Sequence, residues 1–174
     1  MDEAALHEYA LRLLAQQMRS VADVRRKLRA RVEAGESGAA KVEAVLARLR
    51  EYRLVDDSAF ADNFVQIRQQ DQKLGSRRVR NDLAMKGVPQ QLAAEIVEAR
   101  YAEVDEETLA RQHLERKRIR KPENEKETAR VMRRLASAGF SIGVIYKILR
   151  QWDISTESLA ALDGVEEEGS ADAE

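Results

Sequence analysis

Apolar residues recur at steps of three and four along almost the whole chain, which is the spacing of one face of an α-helix. Near the N-terminus, Leu6, Ala10 and Leu13 form such a stripe. No run of residues alternates apolar and polar side chains in the manner of a half-buried β-strand. The pattern therefore predicts an all-α protein.

Turn signals divide this pattern into about nine helices. Ser20, with Asp23 three residues later, is typical of a helix N-terminus, and the helix that follows is predicted to run to about Ala34. The acidic pair Asp56 and Asp57 stands directly before another apolar helical run. Such a pair can hold Mg²⁺, but an acidic residue in this position is more often an N-cap, so we predict that Asp56 caps a helix.

Comparison of the chain with itself shows a repeat. A valine followed four residues later by a leucine occurs at positions 24, 79 and 131, at offsets of 55 and 52 residues. Residues 83–89 align with residues 135–141, which places Gly87 on Gly139. This periodicity predicts an elongated array of three tandem three-helix repeats, built from helix-turn-helix-like units that stack to complete their cores. The predicted repeats are residues 1–55, 56–103 and 104–154, and an acidic tail follows at residues 155–174.

Charge is distributed unevenly along the chain. The whole sequence has 30 Lys and Arg against 31 Asp and Glu, but residues 155–174 hold seven acids and no Lys or Arg. Residues 1–154 therefore carry 30 basic and 24 acidic residues, a formal charge of +6. A basic body favours a polyanion, or a protein bound to one, as partner. We expect the tail to be largely disordered and to screen the basic residues from non-specific DNA.

Basic residues concentrate in three windows, residues 19–31, 68–86 and 111–134, at corresponding places in the repeats. On the second helix of each repeat, apolar positions are predicted to point inward and arginines outward. These arginines suit phosphates or an acidic protein groove, and the alternative is that they serve only solubility and local ion pairing. The candidate partner-binding or DNA-binding residues are Arg25, Arg26, Arg29, Lys73, Arg77, Arg78, Arg80, Arg116, Lys117, Arg118, Lys121, Arg130, Arg133 and Arg134.

The sequence offers little for catalysis or for membrane insertion. It has no cysteine and no glycine-rich phosphate-binding motif, and His7 and His113 each stand alone in a predicted helix. We therefore expect no enzymatic activity, no metal and no cofactor. No stretch approaches the roughly 20 apolar residues that span a bilayer, and the N-terminus lacks the basic start of a signal peptide. These features predict a cytoplasmic protein without membrane contact.

Four segments of the chain resemble the RecX family, the regulators of the bacterial recombinase RecA. The matching residues are 10–14 with Arg19, Ser20 and Leu28; 54–61 with Val65 and Arg68; 75–79 with Leu83 and 86–88; and Leu135 with 139–141, Ile145 and Leu149. The likeness covers roughly residues 5–153, and Gln17 stands where the family usually has arginine.

The resemblance implies three tandem three-helix repeats and a non-enzymatic role in recombinational DNA repair and the SOS response. It implies binding in the helical groove of the RecA filament, which restrains ATP hydrolysis, strand exchange and co-protease activity. It also implies weak, non-specific binding to single- or double-stranded DNA. We expect the protein to be a monomer.

Two other functions remain open from the residues alone. The chain could be a DNA-binding protein of the helix-turn-helix type, which would prefer one DNA sequence. It could also be a helical-repeat scaffold for another protein, which would be indifferent to DNA, recombinase and filament alike.

Overall fold

The computed structural model describes residues 1–154, which form nine α-helices and contain no β-strand. The helices are α1 Glu3–Gln16, α2 Val21–Arg29, α3 Glu36–Glu51, α4 Asp57–Gln66, α5 Ser76–Met85, α6 Gln90–Tyr101, α7 Glu106–Arg116, α8 Glu125–Ser137 and α9 Ile142–Gln151. A short π-helical segment, Ile67–Asp71, continues α4. The all-α prediction is confirmed, whereas the predicted disordered tail lies outside the described residues. None of these helices is long and apolar enough to span a membrane.

Helix ends follow the capping signals of the sequence in most places. The Ser20 side chain accepts a hydrogen bond from the Asp23 N–H at 3.1 Å, and Asp56 accepts from the Ser58 N–H at 2.8 Å, so both predicted N-caps are confirmed. The predicted end of α2 near Ala34 is wrong. The helix stops at Arg29, because the Arg31 N–H bonds to the carbonyl only three residues back and tightens the chain into a turn.

The described chain divides into two compact units. The first comprises Met1–Ile67 and Arg80–Arg100, and the second comprises Arg68–Val79 and the chain from Tyr101 onward. The boundaries of three repeats at residues 1–55, 56–103 and 104–154 stay a prediction.

In the first unit, α1, α2 and α3 pack against one another around a leucine-rich core. Leu6, Leu28 and Leu46 are completely buried there, and each such burial contributes about 1.5–3 kcal/mol. The N-terminus of α2 is held by later parts of the chain. The Val21 N–H donates to the Asp57 carboxylate at 2.8 Å. Because main-chain N–H groups engage both carboxylates of the acidic pair, these aspartates serve helix ends.

In the second unit, α9 packs against α7 and α8 around a core that includes Phe140 and Leu149. Glu107 on α7 forms a polar link to α9. Its carboxylate accepts from Lys147 at 2.5 Å and from Gln151 at 3.0 Å, as well as from Arg111 on its own helix. Hydrogen bonds from Lys147 and then from Arg111 and Gln151 lower the pKa of Glu107 to about 2.

Two glycines allow the backbone of the second unit to cross itself closely. The Gly75 N–H, just before α5, donates to the Ala138 carbonyl at 2.8 Å. Gly139, just after α8, has a φ of +93°. A Cβ atom on Gly139 would lie 2.3 Å from the main-chain nitrogen of Arg78. Neither the conformation nor the space at this crossing accepts a side chain.

Five helices end with the same main-chain bond, the Schellman arrangement, in which an N–H bonds to the carbonyl five residues earlier. The pairs are Leu54 to Leu49, Val88 to Leu83, Ile119 to Leu114, Phe140 to Leu135 and Ile154 to Leu149. The residues before these donors have positive φ and are Arg53, Gly87, Arg118, Gly139 and Asp153. In every case the accepting carbonyl belongs to a buried leucine, so each helix turns away from its core at a fixed point.

Candidate anion-binding interface

Helix α8 presents an apolar face to the core of the second unit and a basic face to solvent. Asn124 caps the helix by accepting from the Glu127 N–H at 3.0 Å. The buried positions are Thr128, Val131, Met132 and Leu135, which lie on one stripe at steps of three, one and three. Arg130, Arg133 and Arg134 fall between them on the side of the helix that faces away from the core.

The turn after α7 brings further cations beside α8. Arg118 has a φ of +53°, and the following Ile119 N–H donates to the Leu114 carbonyl at 2.9 Å. Ile119 packs half-buried against the core of the unit. Because the isoleucine is held there, its neighbours Arg118 and Arg120 remain exposed.

These two elements enclose an open cleft of about 490 Å³, lined by His113, Lys117, Ile119, Arg130, Arg133, Arg134 and Ser137. An adjoining depression of about 280 Å³ shares Ile119, Arg130 and Arg134 with it. We call the two together the basic cleft. Its cationic residues are Lys117, Arg118, Arg120, Lys121, Arg130, Arg133 and Arg134, and the acid among its lining residues is Glu127.

Carboxylates do not neutralise the centre of the basic cleft. Glu127 accepts a hydrogen bond from the Glu123 N–H at 3.0 Å. Within residues 1–154, no ion pair includes Arg130, Arg133 or Arg134. Arg130 and Arg134 are four residues apart on one helix face, where like charges repel each other. An anion placed between them would relieve that repulsion and gain several charge-assisted hydrogen bonds.

Helix α5 contributes to one border of the cleft. The Arg78 guanidinium donates to the carbonyl of Ser137, a lining residue, at 3.3 Å. Lys73, before α5, has a φ of +54°, and main-chain groups of Gln72 and Lys73 act on the His113 ring by raising its pKa, against the lowering effect of burial. The second basic window up to Val79 and the third basic window thus lie in the same unit.

His113 is a buried residue of the cleft lining, and it is only 5% exposed. Its ring meets the Phe140 ring edge-to-face, with centroids 5.7 Å apart. Its Nδ1 atom has no hydrogen-bond partner among the described residues. Burial lowers the pKa of His113 below its ordinary value, and the nearby charges of Lys117 and Arg116 lower it further. The imidazole is therefore neutral at physiological pH, and the charge of the cleft comes from its arginines and lysines.

We expect this buried imidazole to make stability depend on pH. Because the folded-state pKa is lowered, the stabilisation is complete above about pH 6.5, the ordinary histidine value, and is lost as the pH falls towards the folded-state pKa. Denaturation midpoints measured from pH 7.5 to 5 should therefore fall for the wild type and fall less for His113→Gln. Equal slopes, or an NMR titration of His113 at or above 6.5, would contradict this.

The other predicted residues lie elsewhere. In the first unit, Arg25 donates to Glu43 at 2.8 Å and Arg26 pairs with Asp23, so local carboxylates occupy both. Arg29, Arg77, Arg80 and Arg116 are exposed. A continuous stripe through all three windows stays a prediction. The structure adds Arg120 to the set, and its signal was its place in the basic run of residues 116–121.

The arrangement suits binding to an anion. Among the described residues, no three histidine or acidic side chains converge in a way that could hold a metal ion. The cleft is a surface of guanidinium and ammonium groups, which recognise phosphate and carboxylate groups by charge and by paired hydrogen bonds.

Known proteins similar to this chain agree on one family. The family model of the RecX second three-helix domain matches residues 56–96. The regulatory protein RecX of Thermus thermophilus is 37% identical over 150 residues, which cover 86% of this chain and 91% of that protein. The regulatory protein RecX of Thermobifida fusca is 33% identical over 144 residues, which cover 81% of this chain and 75% of that protein.

A solved structure shows the same fold. The crystal structure of RecX from Lactobacillus salivarius superimposes with a TM-score of 0.65 over 87% of this chain and 97% of that one, at 22% identity. The Thermus thermophilus protein is more than 30% identical to this chain over most of both sequences, and this level of similarity is sufficient to assign the family. This chain therefore belongs to the RecX family of regulatory proteins.

Proposed function

We propose that this protein regulates the RecA recombinase, mainly as an inhibitor. It binds as a monomer in the groove of the RecA–DNA filament, in the cytoplasm, and blocks ATP hydrolysis, strand exchange and co-protease activity. The observation that carries the proposal is the basic cleft, in which seven cations face one acid. Family membership supplies RecA as the partner, and the cleft supplies a surface that fits an acidic protein groove or exposed phosphate.

Inhibition by this route needs binding and no chemistry. A chain organised as three repeats, at residues 1–55, 56–103 and 104–154, would contact successive protomers and hinder their movement relative to one another. Several modest contacts made together raise the affinity for a polymer well above that for one protomer. The same guanidinium groups would bind single- or double-stranded DNA weakly and without sequence preference, because phosphate contacts carry no base information.

A helix-turn-helix DNA-binding protein is the second candidate function. It is favoured by the short helices that meet at tight glycine turns, such as the one at Gly139. The outward residues of α8 that would enter a groove are arginines, which suit phosphates at least as well as base edges. This function requires a preferred DNA sequence, whereas RecA regulation requires a preferred protein polymer.

The test compares three partners and two salt concentrations. The chain has no cysteine, so one cysteine introduced at the exposed Ala15 can carry a fluorophore for anisotropy measurements. The partners are DNA alone, free RecA, and RecA filaments assembled on single-stranded DNA with a slowly hydrolysed ATP analogue.

We expect the filament to be bound most tightly, and its affinity to fall at least about tenfold between 50 and 200 mM salt. Inhibition of RecA ATP hydrolysis should follow the same salt dependence. Tighter binding to one DNA sequence than to the filament would support the second candidate. Filament binding that is indifferent to salt would reject the basic cleft as the contact surface.

A further inference from the structure

The basic cleft lies beside the point at which the described chain ends. Ile154 packs against the core of the second unit, and its N–H donates to the Leu149 carbonyl at 3.3 Å. Asp153 has a φ of +60°, and its carboxylate lies 3.6 Å from the ammonium of Lys121. Lys121 lines the basic cleft. The chain therefore leaves the unit next to the cleft, with an acid already facing one of its cations.

The sequence that follows complements the cleft in charge. Residues 155–174 contain seven acids and no Lys or Arg, and three of the acids are the consecutive Glu166, Glu167 and Glu168. Glu166 is twelve residues beyond Ile154, a length of chain that can reach up to about 40 Å. Helix α8, which forms one wall of the cleft, has 13 residues and is about 20 Å long. The glutamate run can thus reach every arginine of that wall.

We propose that the acidic tail, through Glu166, Glu167 and Glu168, occupies the basic cleft of its own chain in the free protein. The carboxylates take the places that an acidic partner or a phosphate would fill beside Arg130, Arg133 and Arg134. Because the tail is tethered, its effective concentration at the cleft is in the millimolar range, so contacts that are weak individually suffice to fill it. A partner must then displace the tail, and that consequence rests on the proposed function, whereas occupation of the cleft does not.

Occupation of the basic cleft by the acidic tail would make binding selective. Free DNA offers one kind of contact and competes poorly with a tethered polyanion. A surface that engages several parts of the chain at once displaces the tail more readily. Occupation by the tail lowers the affinity of every ligand of the cleft by the same factor. Weakly bound DNA is therefore released, whereas a partner with further contacts on the chain stays bound.

Zero-length cross-linking of the full chain tests occupation directly. Carbodiimide couples an ammonium to a carboxylate in direct contact, so Lys117 should be joined to Glu166, Glu167 or Glu168 within one molecule. The product is identified by mass spectrometry of the monomer band, and its yield should not depend on protein concentration. It should fall severalfold in 0.5 M salt, whereas Lys41, which is paired with Glu33 at 2.6 Å in the first unit, should give little coupling to the tail.

A charge-matched pair of variants tests the consequence. Glu166→Gln, Glu167→Gln and Glu168→Gln together should raise affinity for a single-stranded oligonucleotide about threefold to tenfold at 50 mM salt. The control, Glu8→Gln, Glu51→Gln and Glu98→Gln, removes three exposed acids of the first unit and should change that affinity less than twofold.

The outcomes separate the two proposals. Absence of the Lys117 cross-link, or equal effects of the two glutamine variants on DNA binding, would overturn occupation of the cleft by the tail and leave the proposed function standing. Cross-linking together with a DNA effect limited to the tail variant would support it. In that case, a tail variant with unchanged affinity for the RecA filament would count against the cleft as the filament-binding surface.

Discussion

Replacing Gly139 with alanine is expected to lower the free energy of unfolding by about 3 kcal/mol or more. The residue has a φ of +93°, a region that costs an alanine about 1–2 kcal/mol. Its Cβ would also lie 2.3 Å from the Arg78 nitrogen and 2.8 Å from the Gly75 carbonyl oxygen. Both neighbours are backbone atoms that cannot rotate away, so the segments of chain on either side must separate, with a further loss of about 1–3 kcal/mol.

Gly143→Ala is the matched control for that variant. Gly143 lies in the first turn of α9, has no neighbouring atom within 4 Å of the position that a methyl group would take, and does not have a positive φ. Alanine there should leave stability unchanged or raise it by up to about 1 kcal/mol. Chemical denaturation followed by circular dichroism measures both variants. A loss below about 1 kcal/mol in Gly139→Ala would show that the crossing of Gly75 and Gly139 is not tightly packed.

Helix caps and glycine turns depend only on residues close to one another in the sequence, and these features were predictable. The caps at Ser20 and Asp56 depend on a side chain and an N–H group two or three residues away, so composition and order suffice to locate them. The same holds for the glycine turns at Gly87 and Gly139, which align with each other at an offset of 52 residues and both have positive φ.

Features set by the packing of leucines were not predictable from turn chemistry. Arg53 and Arg118 adopt positive φ although arginine has no preference for it. The helices before them end at buried leucines, so core packing dictates the turn and the exposed residue accepts the strain. Glycine is the usual sequence signal for such a turn, and neither of these two turns has it.

The candidate site was predicted residue by residue but not as an assembly. Periodicity identifies Arg130, Arg133 and Arg134 as an outward face. Their convergence with Lys117 into one cleft depends on the turn at Arg118, and the pairing of Arg25 with Glu43 depends on contacts between helices far apart in sequence. Charge counts therefore overestimated the number of available arginines in the first window.

Removing the three arginines of α8 is expected to have the largest effect on function. The variant Arg130→Gln, Arg133→Gln and Arg134→Gln should bind RecA filaments about 30-fold more weakly, which is about 2 kcal/mol, or about 0.7 kcal/mol for each lost charge contact. These side chains lie outside the buried stripe of the helix. Helicity and the denaturation midpoint should therefore change little.

The control variant, Arg25→Gln, Arg26→Gln and Arg29→Gln, removes the same charge from α2. Arg25 and Arg26 are already paired with Glu43 and Asp23, so a partner gains less from contacting them. The fold-loss of filament affinity in this control should be at most one fifth of the fold-loss in the α8 variant. Anisotropy with labelled protein and inhibition of RecA ATP hydrolysis give independent measures of the difference. If the two variants lose affinity equally, filament binding depends only on the net charge of the protein, and the basic cleft has no special role in binding.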